Sequence, residues 1–179
     1  MATCSDIIAR ALVLSKAVAR GAEPSADEEA DAMKALLSIY QRLADTALST
    51  ETERYETANY TAEEGERIYC TAIVTLPTTI DDGDTRRPLD LAAVQYQDTT
   101  TSSAWRTYIS DKGTWTRIDN LTEASTAPFA DRNQDGLASL LAVEIAHEYG
   151  LEISPATMLQ ARRFQSQMQP RNPDPNEHY

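Results

Sequence analysis

Ser25-Ala-Asp-Glu-Glu-Ala-Asp-Ala-Met-Lys-Ala-Leu-Leu-Ser-Ile-Tyr40 is the stretch on which the fold turns. Ser25 with Glu28 three residues on has the form of a capping box, in which each side chain satisfies the other's backbone N–H. Asp27, Glu28 and Glu29 load the positive end of the helix dipole. Met33, Leu36, Leu37, Tyr40, Leu43, Ala44 and Ala47 then recur at helical spacing. The pattern predicts a helix over residues 25–48 with one apolar face, and such a face needs partners.

Working outward, three further segments supply them. Ile7, Ala11, Leu14 and Val18 form a stripe, with Ile8 and Leu12 beside it. They predict a helix over about 3–20, starting at Thr3 or Ser5, stopped by Gly21 and paired antiparallel with the second through a short loop. Leu137, Leu140, Leu141, Ile145 and Tyr149 predict a third helix over about 131–149, closed by Gly150. Ser154 and Pro155 are a favoured cap and first position for a fourth over 155–168, continued by Met158, Ala161, Phe164 and Met168.

Between the second and third helices the periodicity changes. Residues 49–65 are polar and read as a loop or long β-arm. Ile68, Cys70, Ala72, Val74 and Leu76 then alternate with Tyr69, Thr71, Ile73 and Thr75, predicting one strand ended by Pro77. Asp81-Asp-Gly-Asp84 reads as a turn, and Leu89–Tyr96 as a strand or short helix. Trp105–Ile109 and Thr114–Ile118 flank Ser110-Asp-Lys-Gly113, a hairpin turn in which glycine supplies positive φ. The expectation is an α+β chain, mainly α. Residues 1–168 form a four-helix bundle with an antiparallel β insertion over about 66–120. Residues 169–179 form an extended tail whose three prolines make no core.

Composition excludes several classes. A length of 179 residues suits one domain with a real core. The net charge of −12 opposes tight nucleic-acid binding, which rests on Lys and Arg at phosphates. Glu51–Asp84 alone holds nine acids against Arg54 and Arg67, a solvated face or a surface that repels DNA. No apolar run approaches the roughly 18 residues of a membrane span. The first residues lack the basic and apolar regions of a secretion signal, so synthesis in a cytoplasm and reduced Cys4 and Cys70 are expected.

Chemistry-bearing motifs are sparse. Asp131-Arg-Asn-Gln-Asp-Gly136 matches the first half of a calcium loop, but the closing position is Ala142 instead of glutamate. A helix start, capped by Asp131 with Gly136 in the first turns, is the better reading. His147 lacks the second histidine of a zinc helix and reads as a surface or interface residue; His178 has no identifiable partner. Asp81, Asp82 and Asp84 have no nearby His or Cys and read as a solvated turn. No nucleophile elbow, phosphate loop or dinucleotide fingerprint occurs, so no catalytic residue, cofactor or metal is expected. Two basic pairs remain, Arg86-Arg87 and Arg162-Arg163. The latter complements the negative end of helix four, or docks on an acidic patch of a neighbour or partner.

The order of these segments resembles the head–tail connector adaptors of tailed phages and gene transfer agents. The likeness runs through Asp6-Ile-Ile-Ala-Arg-Ala-Leu12 and Ser25–Tyr40. It continues in Val74-Thr-Leu-Pro77, Asp82-Gly-Asp-Thr-Arg-Arg-Pro-Leu-Asp-Leu-Ala92 and Thr114-Trp-Thr-Arg-Ile-Asp119. It closes with Asp135-Gly-Leu-Ala138 through Glu144 and Gly150 to Ala161-Arg-Arg-Phe164. The resemblance implies a structural protein of the virion head–tail junction, without enzymatic activity or cofactor. It implies a ring, usually dodecameric, under the portal protein and joined to a tail-side head-closure or tail protein, with double-stranded DNA passing through. Carried over by position, portal docking would fall to Arg162, Arg163, Phe164, Met168, Pro170, Arg171, Pro173, Pro175, His178 and Tyr179. Head-closure proteins share the neck but are usually β-rich, against which four helices weigh. A calcium-dependent binding module and a small hydrolase using Asp81–Asp84 are the readings from other classes.

Overall fold

The computed structural model describes residues 2–48, 53–57, 59–63, 65–70, 74–82, 85–88, 90–98 and 105–168. Its helices are α1 (Cys4–Leu14), α2 (Ala26–Ala47), α3 (Ala130–Tyr149) and α4 (Pro155–Gln167). Ser25 and Glu28 form the capping box: Glu28 N donates to Ser25 Oγ at 3.3 Å, and Ser25 N to Glu28 Oε2 at 2.7 Å. Thr3 and Asp6 build a second box on α1. α1 ends at Leu14, well short of Gly21. There Ser15 Oγ donates to the Leu12 carbonyl at 3.0 Å, Lys16 turns left-handed at φ 65°, and Val18 N also reaches Leu12 O at 3.2 Å. With those carbonyls satisfied the helix stops, and Val18 still returns to the core through a connection, 15–25, longer than expected.

α3 is the hub. Leu137, Ala138, Ser139, Leu140, Leu141, Ala142, Ile145 and Ala146 are all buried, so its apolar surface runs most of the way round. A helix of that kind must be enclosed. α4 packs along it most extensively, followed by α1 and α2. Its start differs from expectation, because Asp131 does not cap it. Phe129 enters left-handed at φ 64°, Asn133 breaks the helical geometry, and Asn133 Oδ1 accepts from Gly136 N at 2.8 Å. Asn133 is thus the cap of the long segment that ends at Gly150.

The insertion holds β1 (Glu53–Glu56), β2 (Tyr60–Thr61), β3 (Arg67–Cys70), β4 (Val74–Thr75), β5 (Thr79–Asp82), β6 (Thr85–Pro88), β7 (Ala93–Asp98), β8 (Trp105–Asp111) and β9 (Thr114–Arg117). Five strands form one sheet in the order β1-β3-β7-β8-β9. β1, β3 and β7 run parallel; β7, β8 and β9 run antiparallel. The sheet is therefore mixed, and it begins at Glu53 inside the stretch read as loop or arm. The expected single strand over 68–76 is divided, with β3 in this sheet and β4 pairing β2 in a separate parallel ribbon; residues 71–73 lie outside the described set. Alternation specifies a face but not a partner, and parallel partners are joined by long crossovers that leave no local mark. Of the alternating set, buried Ile68 and half-buried Val74 and Leu76 meet Ala62, Val94, Tyr60, Tyr96 and Trp115 in a second small core; the Cys70 side chain and Ala72 lie outside the described set. β5 and β6 pair as a hairpin, Asp82 opposite Thr85. Lys112 and Gly113, at φ 52° and 82°, make the tight β8–β9 turn.

Sheet and helices are joined by specific contacts. Ala93 and Ile109 enter the main core beside α2, while Val94 faces the second core. Arg132 Nε donates to Asp111 Oδ1 at 2.8 Å and its Nη2 also pairs with Asp90, clamping α3 to the β8 end. Phe129 N donates to Asp111 Oδ2 at 2.9 Å, and the buried Tyr40 hydroxyl donates to Pro128 O at 3.0 Å.

Candidate interaction surface

α4 is the element whose surface the sequence singled out. Ser154 Oγ accepts from Thr157 N at 3.2 Å and Pro155 occupies the first turn, so the helix starts where its cap predicts. Thr157, Ala161, Phe164 and Met168 form its buried stripe, and Ser139 of α3 donates to Gln160 at 3.1 Å. Phe164 and Met168 are 0% and 4% exposed. This corrects the expectation that they dock on a partner: at spacings of three and four from Ala161 they face α3. Arg162 and Arg163 project to solvent, and Leu159, one turn earlier, is 50% exposed. Pro170, Arg171, Pro173, Pro175, His178 and Tyr179 lie outside the described residues. Between Ile153 and Pro173 the only charged residues are Arg162, Arg163 and Arg171.

A surface of the opposite sign lies where α2 begins and α3 ends. Ala22–Met33 carries Glu23, Asp27, Glu28, Glu29 and Asp31 and no cation. The Tyr149 hydroxyl lies 3.5 Å from Asp31 Oδ2, and Lys34 Nζ 2.8 Å from Asp31 Oδ1. Hydrogen bonds from Ser25 hold the Glu28 carboxyl low; the Lys34 hydrogen bond and charge do the same for Asp31. The Tyr149 phenol is raised by burial and then by the charges of Asp31, Glu148 and Glu28. Asp31, above all, and then Glu148 and Asp27 raise the Lys34 ammonium. Asp27, Glu28, Asp31 and Glu148 thus share one pole, where Tyr149 and Leu151 remain 46% and 37% exposed. Gly136 abuts Phe164, and Tyr149 abuts Asp31. The thirteen residue steps of α3 from Gly136 to Tyr149 set Phe164, next to the two arginines in sequence, about 20 Å from the pole.

The calcium-like string is spent on structure. In Asp131–Gly136, Asn133 is a cap, Asp135 pairs with Arg10 at 2.7 Å, and Gly136 underlies α4. Among the described residues no three His, Cys, Asp or Glu side chains are grouped to hold a metal. His147 is exposed on α3. Asp81 and Asp82 belong to β5 and Arg86 and Arg87 to β6; their side chains, and Asp84, lie outside the described set. Cys4 is buried and free, its thiol pushed up to about 11 by burial and then by Glu123. Comparison with protein families and with curated proteins finds no match. Among the described residues no helix is long and apolar enough to cross a membrane.

One residue escaped the sequence reading. Glu66 sits in the acidic run yet is 4% exposed, accepting from the Tyr60 hydroxyl at 3.0 Å and from Glu63 N at 2.8 Å. It holds the entry to β3 and is no part of a solvated acidic face. Its charge gave no signal of this, because the donors arrive by a backbone reversal.

Proposed function

We propose that this chain is a structural head–tail adaptor of a tailed phage or gene transfer agent. Copies dock as a ring under the portal protein, join it to the tail-side neck protein and continue the DNA channel at the head–tail junction. The observation that carries this reading is the division of labour along the chain. Helices from both ends enclose α3, the β insertion is clamped to that layer by Arg132, and α4 leads with an exposed basic face into the Pro-rich residues 169–179. The four helices then serve as the adaptor bundle, the last eleven residues reach the portal, and the insertion meets the tail-side protein or neighbouring copies. The charge of −12 suits a channel wall along which phosphates slide without sticking. Ring closure lets many modest contacts act together.

Co-expression with the portal protein of the same genome, followed by affinity capture, tests the reading. The full chain is expected to co-purify with the portal. Deleting residues 169–179 should leave the helical circular-dichroism signal unchanged and weaken capture. A truncated chain that enters particles normally would remove the tail from portal docking. Absence of the chain from particle necks would end the adaptor reading.

A further inference from the structure

We propose that the outward face of α4 docks on the acidic pole around Tyr149 of a second copy. The proposal rests on the ring reading above and names the two surfaces that would close the ring. Charge complementarity selects the occupant. Two arginines and no acid occupy α4, against five carboxylates and no cation in Ala22–Met33, in a chain that is strongly acidic overall. Glu148 adds to the pole, and the Lys34 ammonium on which its charge acts is already paired with Asp31. Each surface also has an apolar centre, Leu159 on α4 and Tyr149 with Leu151 on the pole. An apolar centre within a polar rim is the usual anatomy of a protein interface.

A two-fold contact of α4 on α4 would set Arg162 and Arg163 against their own copies, which like charges oppose. The complementary surfaces are different patches about 20 Å apart on one chain. Used once per copy, their contact is head-to-tail and generates a ring or a filament, the arrangement the ring reading requires; used twice across a two-fold axis, it closes a dimer.

The test uses the full chain in sedimentation velocity, without portal or DNA. The Debye length is about 30 Å in 0.01 M salt and well under 10 Å in 0.5 M salt. Association is expected at the lower salt and dispersal at the higher. Arg162→Glu with Arg163→Glu, and separately Asp27→Lys with Glu148→Lys, should each weaken association about tenfold or more. Mixing the two variants should restore it, because each reversed face then meets a reversed pole. The neutral pair Arg162→Gln with Arg163→Gln should also weaken association, which guards against a fold defect in the charge-reversed chain. A wild type that stays monomeric in low salt would overturn the proposal, as would variants that associate like wild type or a mixture no tighter than its parts. Loss of DNA retention by the arginine variant with association unchanged would also overturn it, assigning the face to nucleic acid. A chain that associates this way but is missing from necks keeps the interface and ends the adaptor reading. A chain present in necks whose assembly ignores the reversals does the opposite.

Discussion

Replacing Gly136 with alanine should destabilise the protein, although it puts a better helix former into a helix. A Cβ at 136 would lie 2.7 Å from Phe164 Cβ and 2.8 Å from Asn133 Cγ and Nδ2. Carbon atoms in contact settle near 3.5–4.0 Å, so α4 must retreat by about 1 Å. No rotamer change at 164 helps, since every residue except glycine carries that Cβ. Overpacking of this kind costs about 1–3 kcal/mol. Pushing Asn133 aside also removes its acceptor from Gly136 N, for about 1 kcal/mol more. The helix-propensity gain of alanine over glycine, about 1 kcal/mol, offsets roughly one of these. The net loss is about 1–3 kcal/mol, which for a chain of this size lowers Tm by about 2–12 °C. Thermal unfolding followed by circular dichroism measures it. An unchanged or higher Tm would refute the close approach of α4 to α3 at this position, because a glycine in an open helical turn gains from the same change.

Arg132→Ala removes the guanidinium from between Asp90 and Asp111 and should lower stability by roughly 1.5–3 kcal/mol in urea unfolding. The same variant should flatten the acid side of the stability profile. Burial pushes the Asp90 carboxyl up, but hydrogen bonds from Arg132 and Lys112 N, with the Arg132 charge, outweigh it and leave the group below its ordinary value. A depressed folded value gives stability that is present above about pH 4 and lost as pH falls through the lower folded value. Equal acid sensitivity in variant and wild type would contradict the clamp. Tyr40→Phe leaves the buried Pro128 carbonyl without its donor and should cost about 1–2 kcal/mol in chemical denaturation; a neutral result would deny that bond. In a Cys70→Ser background, Cys4 should resist a thiol-specific reagent at about pH 8 while native and react promptly once denatured. Prompt reaction of the native protein would show that Cys4 is accessible.

What the sequence determined by itself was the helix ends marked by a recognisable capping motif. Ser25 with Glu28, Ser154 with Pro155, and Gly150 fix helix ends through bonds to residues one to four positions away, so those boundaries fall where the motifs put them. The tight Lys112-Gly113 turn was legible for the same reason. Gly21 misled because the α1 carbonyls are already satisfied by Ser15, Lys16 and Val18, bonds with no distinctive residue type. Tertiary structure alone decided what lies far apart in the chain. It chose the parallel neighbours of β3 and turned the calcium-like Asp131–Gly136 string into a kinked helix start beneath Phe164. It also divided the candidate surface, leaving Arg162 and Arg163 in solvent while placing Phe164 and Met168 against α3. A capping bond closes a loop of three or four residues and can be read from them where the capping residue belongs to a recognisable motif, as Ser25 and Ser154 do and Asn133 does not. A strand pairing or a helix–helix contact depends on which distant surface arrives, and neither participant records that in its own sequence.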